Sequence, residues 1–328
     1  MTTLYNFCSQ KACADGATPY ALVLGTNGNF YGTTLYGGTN NLGICGQFGC
    51  GTFFEITPAG KLTTLYRFCA QTNCADGTQP GALVQATNGN FYGAAASGGI
   101  SNIDAGCPTG CGAIFDITPK GKLSTLYSFC PQDGKCPNGN TPQSVIQATN
   151  GNFYGVALYG GTNGAGTVFE MTPTSNLSAL YSFCAMQNCS DGGRPYGMLL
   201  QAANGNLYGT TYGGSAGNDV TVFEITPAGK LTTLYSFCSE TNCTDGSSPL
   251  AGLVQGSDRN FYGTTAYGGA YKSNRSCGGT GCGTAFEITP SGKLTTLYTF
   301  CSETNCTDGV VPGMLMQATN GTFYGGPE

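Results

Sequence analysis

Histidine and tryptophan are both absent from this sequence of 328 residues. Without histidine, the chain lacks the commonest general base of enzymes and the usual ligand of zinc and haem. A nucleophile elbow, a phosphate-binding loop, a dinucleotide fingerprint and a C-x-x-C redox motif are also missing. We therefore expect no catalytic residues, no metal and no cofactor.

Charged residues are scarce at 9 % of the chain, whereas a soluble domain has about a quarter. Apolar residues still make up 40 %, and no apolar run approaches the ~18 residues of a membrane helix. The 12 Lys and Arg are scattered and the formal net charge is −5, so no basic track for phosphates exists. These features predict a folded protein that neither inserts into a membrane nor binds nucleic acid.

Cysteine, in contrast, is abundant, and 18 cysteines are too many for a reducing compartment. The first residues, MTTLYNFCSQ, carry neither the charge nor the apolar core of a signal peptide. We interpret the conflict as a processed or trimmed chain from an extracellular or cell-surface protein. A cytosolic protein with free thiols is the alternative.

The chain is an internal repeat. The motif LYxFC returns with spacings of 61, 61, 54, 54 and 63 residues. Its copies begin at Leu4, Leu65, Leu126, Leu180, Leu234 and Leu297. Such a period indicates a repeat architecture.

The sequence of each repeat predicts four strands. Examples of the four, taken from different repeats, are ALVQAT, FYGAAA, GTVFEMTP and KLTTLYSF. Asn-Gly between the first two tolerates the positive φ of a tight hairpin, and the aromatic and β-branched residues suit a pleated surface. The glycine after tyrosine marks a close backbone approach or a bend. No stretch has helical periodicity with caps, so we expect almost no helix.

A four-stranded meander that recurs every ~40–60 residues is typical of a β-propeller blade. We predict an all-β fold, a β-propeller of about six four-stranded blades in one domain over residues 1–328. A β-solenoid and a chain of separate sandwich domains are the alternatives.

Five blades are complete in the sequence, and the sixth is split between the termini. Residues 2–7 supply its fourth strand, and residues 313–318 and 322–325 supply its first and second. The third strand is missing. A trimmed array, an exposed edge and a strand from a neighbouring molecule are three open explanations.

The cysteines form nine close pairs, for which we predict local disulfides. Six pairs follow the fourth strands: Cys8 and Cys13, Cys69 and Cys74, Cys130 and Cys136, Cys184 and Cys189, Cys238 and Cys243, Cys301 and Cys306. Three pairs lie in the longer loops between second and third strands: Cys45 and Cys50, Cys107 and Cys111, Cys277 and Cys282. Zinc is the alternative, but it needs four converging ligands and no histidine completes a set.

The blocks FYG, FEITP and LYSFC, which recur in fixed order over nearly the whole chain, resemble the GloVer tandem repeat of bacterial surface and secreted proteins. The strand order is similar, more distantly, to kelch and NHL propeller repeats. The resemblance implies an extracellular or surface-anchored bacterial product. It implies no activity, because the repeat has no catalytic motif to transfer.

Three sets of repeated polar residues are candidate sites. One carboxylate recurs in the third strand, at Glu55, Asp116, Glu170, Glu224 and Glu287. It is either a cation or ligand site or, as we favour, a carboxylate that bonds backbone N–H groups or solvent. Identical repeats would not split the pKa values of a catalytic pair.

The second set precedes glycine: Asp15, Asp76, Asp191, Asp245 and Asp308, with Asn138 in the third repeat. The asparagine favours a turn cap over calcium. The third set is a possible ligand rim of tyrosines before Gly-Gly, formed by Tyr36, Tyr159, Tyr212 and Tyr267. These rings either stack on sugars or pack the loop base; Ser97 interrupts the series.

We expect a non-catalytic extracellular structural or adhesive protein that self-assembles end to end through its incomplete blade. Its partners would be copies of itself or surface glycans. A carbohydrate-binding propeller is the second hypothesis. A hydrolase or lyase is the third, and it would use carboxylates outside the repeat pattern, for which Asp104, Asp219 and Asp258 are candidates.

Overall fold

A computed structural model describes residues 3–38, 48–99, 106–130, 135–213, 220–270 and 281–326, together with Cys45 and Cys277. The helical segments among these residues are 3₁₀ turns of three residues: Lys11–Cys13, Thr72–Cys74, Gln187–Cys189, Thr241–Cys243 and Thr304–Cys306. None of the described helices is long and apolar enough to cross a membrane. The predicted all-β fold with almost no helix is confirmed.

Five four-stranded antiparallel sheets, which we call blades 1 to 5, follow one another along the chain. Blade 1 contains β1 (Ala17–Leu24), β2 (Phe30–Tyr36), β3 (Thr52–Ile56) and β4 (Leu62–Arg67). Blade 2 contains β5 (Thr78–Gln85), β6 (Phe91–Ser97), β7 (Ala113–Ile117) and β8 (Leu123–Ser128). Blade 3 contains β9 (Asn140–Gln147), β10 (Phe153–Tyr159), β11 (Thr167–Met171) and β12 (Leu177–Ser182).

Blade 4 contains β13 (Pro195–Gln201), β14 (Leu207–Thr211), β15 (Thr221–Ile225) and β16 (Leu231–Ser236). Blade 5 contains β17 (Val254–Gln255), β18 (Phe261–Thr265), β19 (Thr284–Ile288) and β20 (Leu294–Thr299). A two-stranded sheet, the terminal hairpin, contains β21 (Met316–Gln317) and β22 (Phe323–Tyr324). In every blade, sequential strands are neighbours in the sheet, which is the meander predicted from the repeat.

The chain divides into two compact units. Unit 1 comprises 1–162 and 169–179, and unit 2 comprises 163–168 and 180–328. The boundary falls within the strands of blade 3. The single domain expected for residues 1–328 stays a prediction.

Both faces of a blade are buried inside a unit. The consecutive residues Phe53 and Phe54 on β3 are 0 % and 2 % exposed, although neighbouring side chains on a strand point to opposite faces. This burial explains why apolar residues are not confined to alternate positions in the sequence.

Two aromatic contacts recur between successive blades. A tyrosine on the second strand of one blade packs against the aromatic ring at the start of the second strand of the next blade. The ring centroids lie 4.4 Å apart for Tyr31 and Phe91 and 4.1 Å apart for Tyr208 and Phe261. The phenylalanine after each fourth strand meets a third-strand phenylalanine of the next blade, as in the 5.1 Å contact between Phe68 and Phe115. Aromatic pairs at such distances add about 0.5–1.5 kcal/mol beyond area burial.

At several junctions a left-handed residue before proline donates a backbone hydrogen bond to the preceding blade. Gln79 has φ 53°, and its N–H donates to the carbonyl of Cys50 in blade 1 at 3.0 Å. Thr141 has φ 55° and bonds Cys111 of blade 2 at 2.8 Å. A non-glycine residue in this region costs roughly 1–3 kcal/mol, so the junction stabilises a conformation that the chain would otherwise avoid.

The predicted sixth blade is present in part. The terminal hairpin supplies its first and second strands, and residues 3–7 carry no assigned strand. Closure of about six blades through the termini therefore stays a prediction.

Candidate functional site

The repeated third-strand carboxylate lies at the edge of the blade that carries the Asn-Gly turn. In blade 1, the Tyr31 hydroxyl and the Asn29 amide both donate to Oε1 of Glu55, at 2.8 and 2.7 Å. Asn27 in turn donates to the tyrosine hydroxyl at 2.9 Å. The donors are phenol and amide side chains, where the sequence had suggested backbone N–H groups or solvent.

This carboxylate network repeats with small changes. In blade 4, Glu224 accepts from Tyr208 at 2.7 Å and from Asn206 at 2.6 Å. Burial, followed by the hydrogen bond to Glu224, raises the pKa of Tyr208 to about 12. In blade 2 the shorter Asp116 is bonded by Asn90 at 2.9 Å. The networks hold each carboxylate within its own blade.

Sequence reasoning missed an amide clasp at the same edge. Gln85, at the end of β5, accepts the backbone N–H of Thr26 in blade 1 at 2.9 Å and donates to Gly89 in its own turn at 3.0 Å. Gln147 makes the corresponding bond to Thr87, also at 2.9 Å. The sequence feature that could have revealed this clasp is a glutamine before each Asn-Gly turn except the first, where Leu24 takes its place.

The Asp-Gly carboxylate lies at the opposite edge and caps the disulfide loop. Asp76 is 0 % exposed and accepts from the Tyr66 hydroxyl at 2.8 Å and from the N–H groups of Ala70 and Gln71 at 2.9 and 3.1 Å. Burial, with the bond to Asp76, raises the pKa of Tyr66. The geometry is that of a local backbone cap.

The same cap recurs at the first and last aspartates of the series, of which Asp15 is buried and Asp308 is half-buried. Burial raises the pKa of Asp15, but hydrogen bonds from Tyr5, Ser9 and Gln10 outweigh it and hold the pKa below its ordinary value. Asp308 makes the same bonds at the surface, with the Tyr298 hydroxyl at 2.8 Å.

Asn138 takes the place of the aspartate in the third repeat. Its amide donates to the Tyr127 hydroxyl at 3.0 Å, and its carbonyl accepts from the N–H of Ala179 at 3.0 Å. The asparagine therefore contacts a strand farther along the chain, and residues 131–134 of its own loop lie outside the described residues.

All nine close cysteine pairs are bridged in the structure, and every bridge spans four to six residues of sequence. The bridges lie at the edge that carries the Asp-Gly caps. In blades 1, 2 and 5 the bridge of the long loop also lies beside the bridge that follows the fourth strand.

The tyrosine rim lies at this edge too. Tyr159, Tyr212 and Tyr267 are 40 %, 39 % and 38 % exposed. Tyr36 is half-buried, and its ring lies 6.0 Å from that of Phe48. The exposed rings present flat apolar faces to solvent.

Of the three candidate carboxylates outside the repeat pattern, the structure describes one. Asp258 lies in the turn of blade 5, where it accepts from the Tyr262 hydroxyl at 2.7 Å and from the N–H of Asn260 at 3.1 Å. The Tyr262 bond, together with those from Asn260, lowers the pKa of Asp258 despite slight burial. Asp104 and Asp219 lie outside the described residues.

The blades, their aromatic junctions and their repeated caps define an all-β repeat protein with a propeller-like fold. A family model described as the Gloeobacter/Verrucomicrobia repeat matches residues 1–141 and 103–327. The chain therefore belongs to this repeat family, as the sequence motifs had predicted. A comparison with curated proteins finds no significant match.

Solved structures support the fold. Virginiamycin B lyase from Staphylococcus aureus aligns over 99 % of this chain and 87 % of its own, with 14 % identity and a TM-score of 0.59. A gluconolactonase from Xanthomonas campestris aligns over 96 % of this chain and 85 % of its own, with 12 % identity and a TM-score of 0.54. The extracellular domain of a one-component system from B. thetaiotaomicron aligns over 99 % of this chain and 33 % of its own, with 9 % identity and a TM-score of 0.59. At these identities the likeness concerns the fold alone.

Proposed function

We propose that the chain is a non-catalytic extracellular repeat protein, structural or adhesive, that assembles end to end with copies of itself. Nine disulfides support an oxidising compartment, since they persist outside the cytosol. The likeness to the extracellular domain from B. thetaiotaomicron agrees with that placement.

The non-catalytic part of the proposal rests on the carboxylate networks. A pair of catalytic carboxyl groups needs two environments that push their pKa values apart. Glu55, Glu170 and Glu224 each receive a tyrosine and an asparagine donor on Oε1, so their environments are alike. Glu224 differs only by a second, longer asparagine bond of 3.4 Å. The lyase and the lactonase share the fold at 14 % and 12 % identity, which transfers no activity.

Assembly is carried by one observation: β1 exposes a face that the other blades bury. Leu22 and Leu24 are 56 % and 62 % exposed, whereas Leu83, which corresponds to Leu22, is 3 % exposed. A groove of about 390 Å³ lies on this face, lined by Leu4, Phe7, Tyr20, Leu22 and others.

The terminal hairpin exposes residues that would pack against the exposed face of blade 1 in another copy. Tyr324 is 53 % exposed and occupies the position of Tyr31 and Tyr208, whose rings pack on the next blade. Phe30 occupies the position of Phe91, and it is only half-buried where Phe91 is 0 % exposed. We place Tyr324 of one copy on Phe30 of the next, which continues the junction that already repeats within each unit.

The assembly prediction is that Leu22→Lys abolishes association, because a charge on this face would be buried without a partner. The wild-type protein should form elongated particles in negative-stain images and sediment faster as its concentration rises. Leu22→Lys should remain monomeric with an unchanged circular dichroism spectrum.

Met186→Lys is the matched control, because Met186 is 47 % exposed but belongs to the disulfide loop after β12 and not to β1. It should assemble like the wild type. Dispersed wild-type monomers at high concentration would reject assembly, and so would a Leu22→Lys variant that still associates.

Carbohydrate binding is a second candidate, favoured by the exposed rings of Tyr159, Tyr212 and Tyr267. Repeated weak sites would gain avidity. If the rim binds sugars, a glycan array should give signals that the triple alanine variant of these tyrosines loses. Tyr20→Ala, at a ring 45 % exposed on β1, should keep them. An array without any signal, with the disulfides verified as intact, would remove this candidate.

A further inference from the structure

Three groups of cysteine sulfurs converge in the long-loop blades. In blade 1, the sulfurs of Cys50, Cys69 and Cys74 all lie within 4.8 Å of one another. The sulfur of Cys45 lies outside this group of three and is bonded to Cys50. Two disulfides from distant parts of the repeat thus lie side by side.

The arrangement recurs with the same logic elsewhere. Cys107, Cys111 and Cys130 converge in blade 2, and Cys136 is bonded to Cys130. The blade 5 group contains Cys282, Cys301 and Cys306, with Cys277 bonded to Cys282. Each group draws one pair from the loop between the second and third strands and one pair from the segment after the fourth strand.

The geometry points to a second state of these groups. We propose that each long-loop blade is a four-cysteine site that holds two disulfides when oxidised and one thiophilic divalent cation, such as Zn²⁺, when reduced. Tetrahedral zinc takes four thiolates at about 2.3 Å, which sets the sulfurs about 3.8 Å apart. The three sulfurs of each group lie within 4.8 Å of one another. On reduction, the bonded pair would open to the zinc spacing, the third sulfur would shift by about an ångström, and the fourth, which is bonded to the third, would move in to complete the set.

In blade 1 the surroundings suit a closed structural metal site. Cys50, Cys69 and Cys74 are 1 %, 2 % and 0 % exposed. Structural zinc sites use four protein ligands and leave no open position, and soft thiolates favour such metals over oxygen-liganded ones. Histidine is not required, since four cysteines are one of the standard sets.

The chemistry of the exchange balances. Two molecules of a dithiol reduce the two disulfides, giving four protein thiols and two oxidised dithiols. Binding of one Zn²⁺ by the four thiolates then releases four protons, so metal and disulfides exclude each other at the same sulfurs. The unclustered pairs Cys8–Cys13, Cys184–Cys189 and Cys238–Cys243 supply only two thiols each and serve as internal controls.

The test is a titration of the whole chain with Co²⁺ after reduction by a dithiol under argon and removal of the reagent. Tetrahedral cobalt thiolate has intense visible bands, and native mass spectrometry counts the ions. We expect three equivalents, one for each group. The double variant Cys45→Ser with Cys50→Ser should bind two, and Cys238→Ser with Cys243→Ser should still bind three.

The outcomes separate the alternatives. A reduced protein that keeps its strand spectrum but binds no Co²⁺ would overturn the proposal, and so would one ion for each of the nine pairs. If reduction unfolds the chain, Co²⁺ should restore the strand spectrum; unfolding that metal does not reverse would equally reject the site. Assembly of the oxidised protein does not depend on these results.

Discussion

Replacing Gly155 with alanine should destabilise the protein by about 3 kcal/mol, at the upper end of the usual range for overpacking. A Cβ at Gly155 would lie 2.2 Å from the carbonyl oxygen of Ser144 and 2.4 Å from a ring carbon of Phe169. Both neighbours are fixed, since one is backbone on the paired strand and the other is a ring buried in the core. The expected result is a lower urea midpoint with an unchanged slope.

Gly326→Ala is the control for this substitution. Nothing lies within 4 Å of a Cβ at Gly326, and its φ is outside the left-handed region. Its stability should stay within about 0.5 kcal/mol of the wild type. Equal stability of the Gly155→Ala variant would show that the second strand shifts to admit a methyl group.

Asp76→Ala should cost about 3 kcal/mol, because it removes a buried charged acceptor and leaves three donors. The Tyr66 hydroxyl and the N–H groups of Ala70 and Gln71 would lose their partner inside the fold. Urea denaturation monitored by tyrosine fluorescence gives the difference in the free energy of unfolding.

Asp308→Ala is the matched control, since Asp308 makes the same contacts with Tyr298 and with the N–H groups of Ser302 and Glu303. Those groups are exposed, so water replaces the lost carboxylate and the cost should stay below about 1 kcal/mol. Equal losses in the two variants would mean that burial does not set the strength of the cap.

The repeat made much of the fold predictable from the sequence. The order of the strands follows from Asn-Gly turns and aromatic runs that recur in the same order in every repeat. The close approach at Gly155 follows from its residue type, because only glycine fits so near a carbonyl. Gln79 shows the limit. Its left-handed φ depends on a bond to Cys50 in another blade, which no local pattern contains.

The site was less predictable for the same reason. Tyr31 and Glu55 lie 24 residues apart and meet only because β2 pairs with β3. Likewise, Cys50 and Cys69 converge through the sheet, so the sequence showed two independent pairs where the structure has one group. Asp308 and Asp76 have the same motif, and only packing leaves one half-buried and the other fully buried.

The glutamine clasp has an evolutionary consequence. Gln85 and Gln255 recognise main-chain N–H groups of the preceding turn, and the residue recognised is Thr26 in one case and Ala203 in the other. Recognition of this kind tolerates drift in the side chains of the turn. A duplicated or transplanted blade would therefore keep this contact with its neighbour without compensating substitutions in the turn.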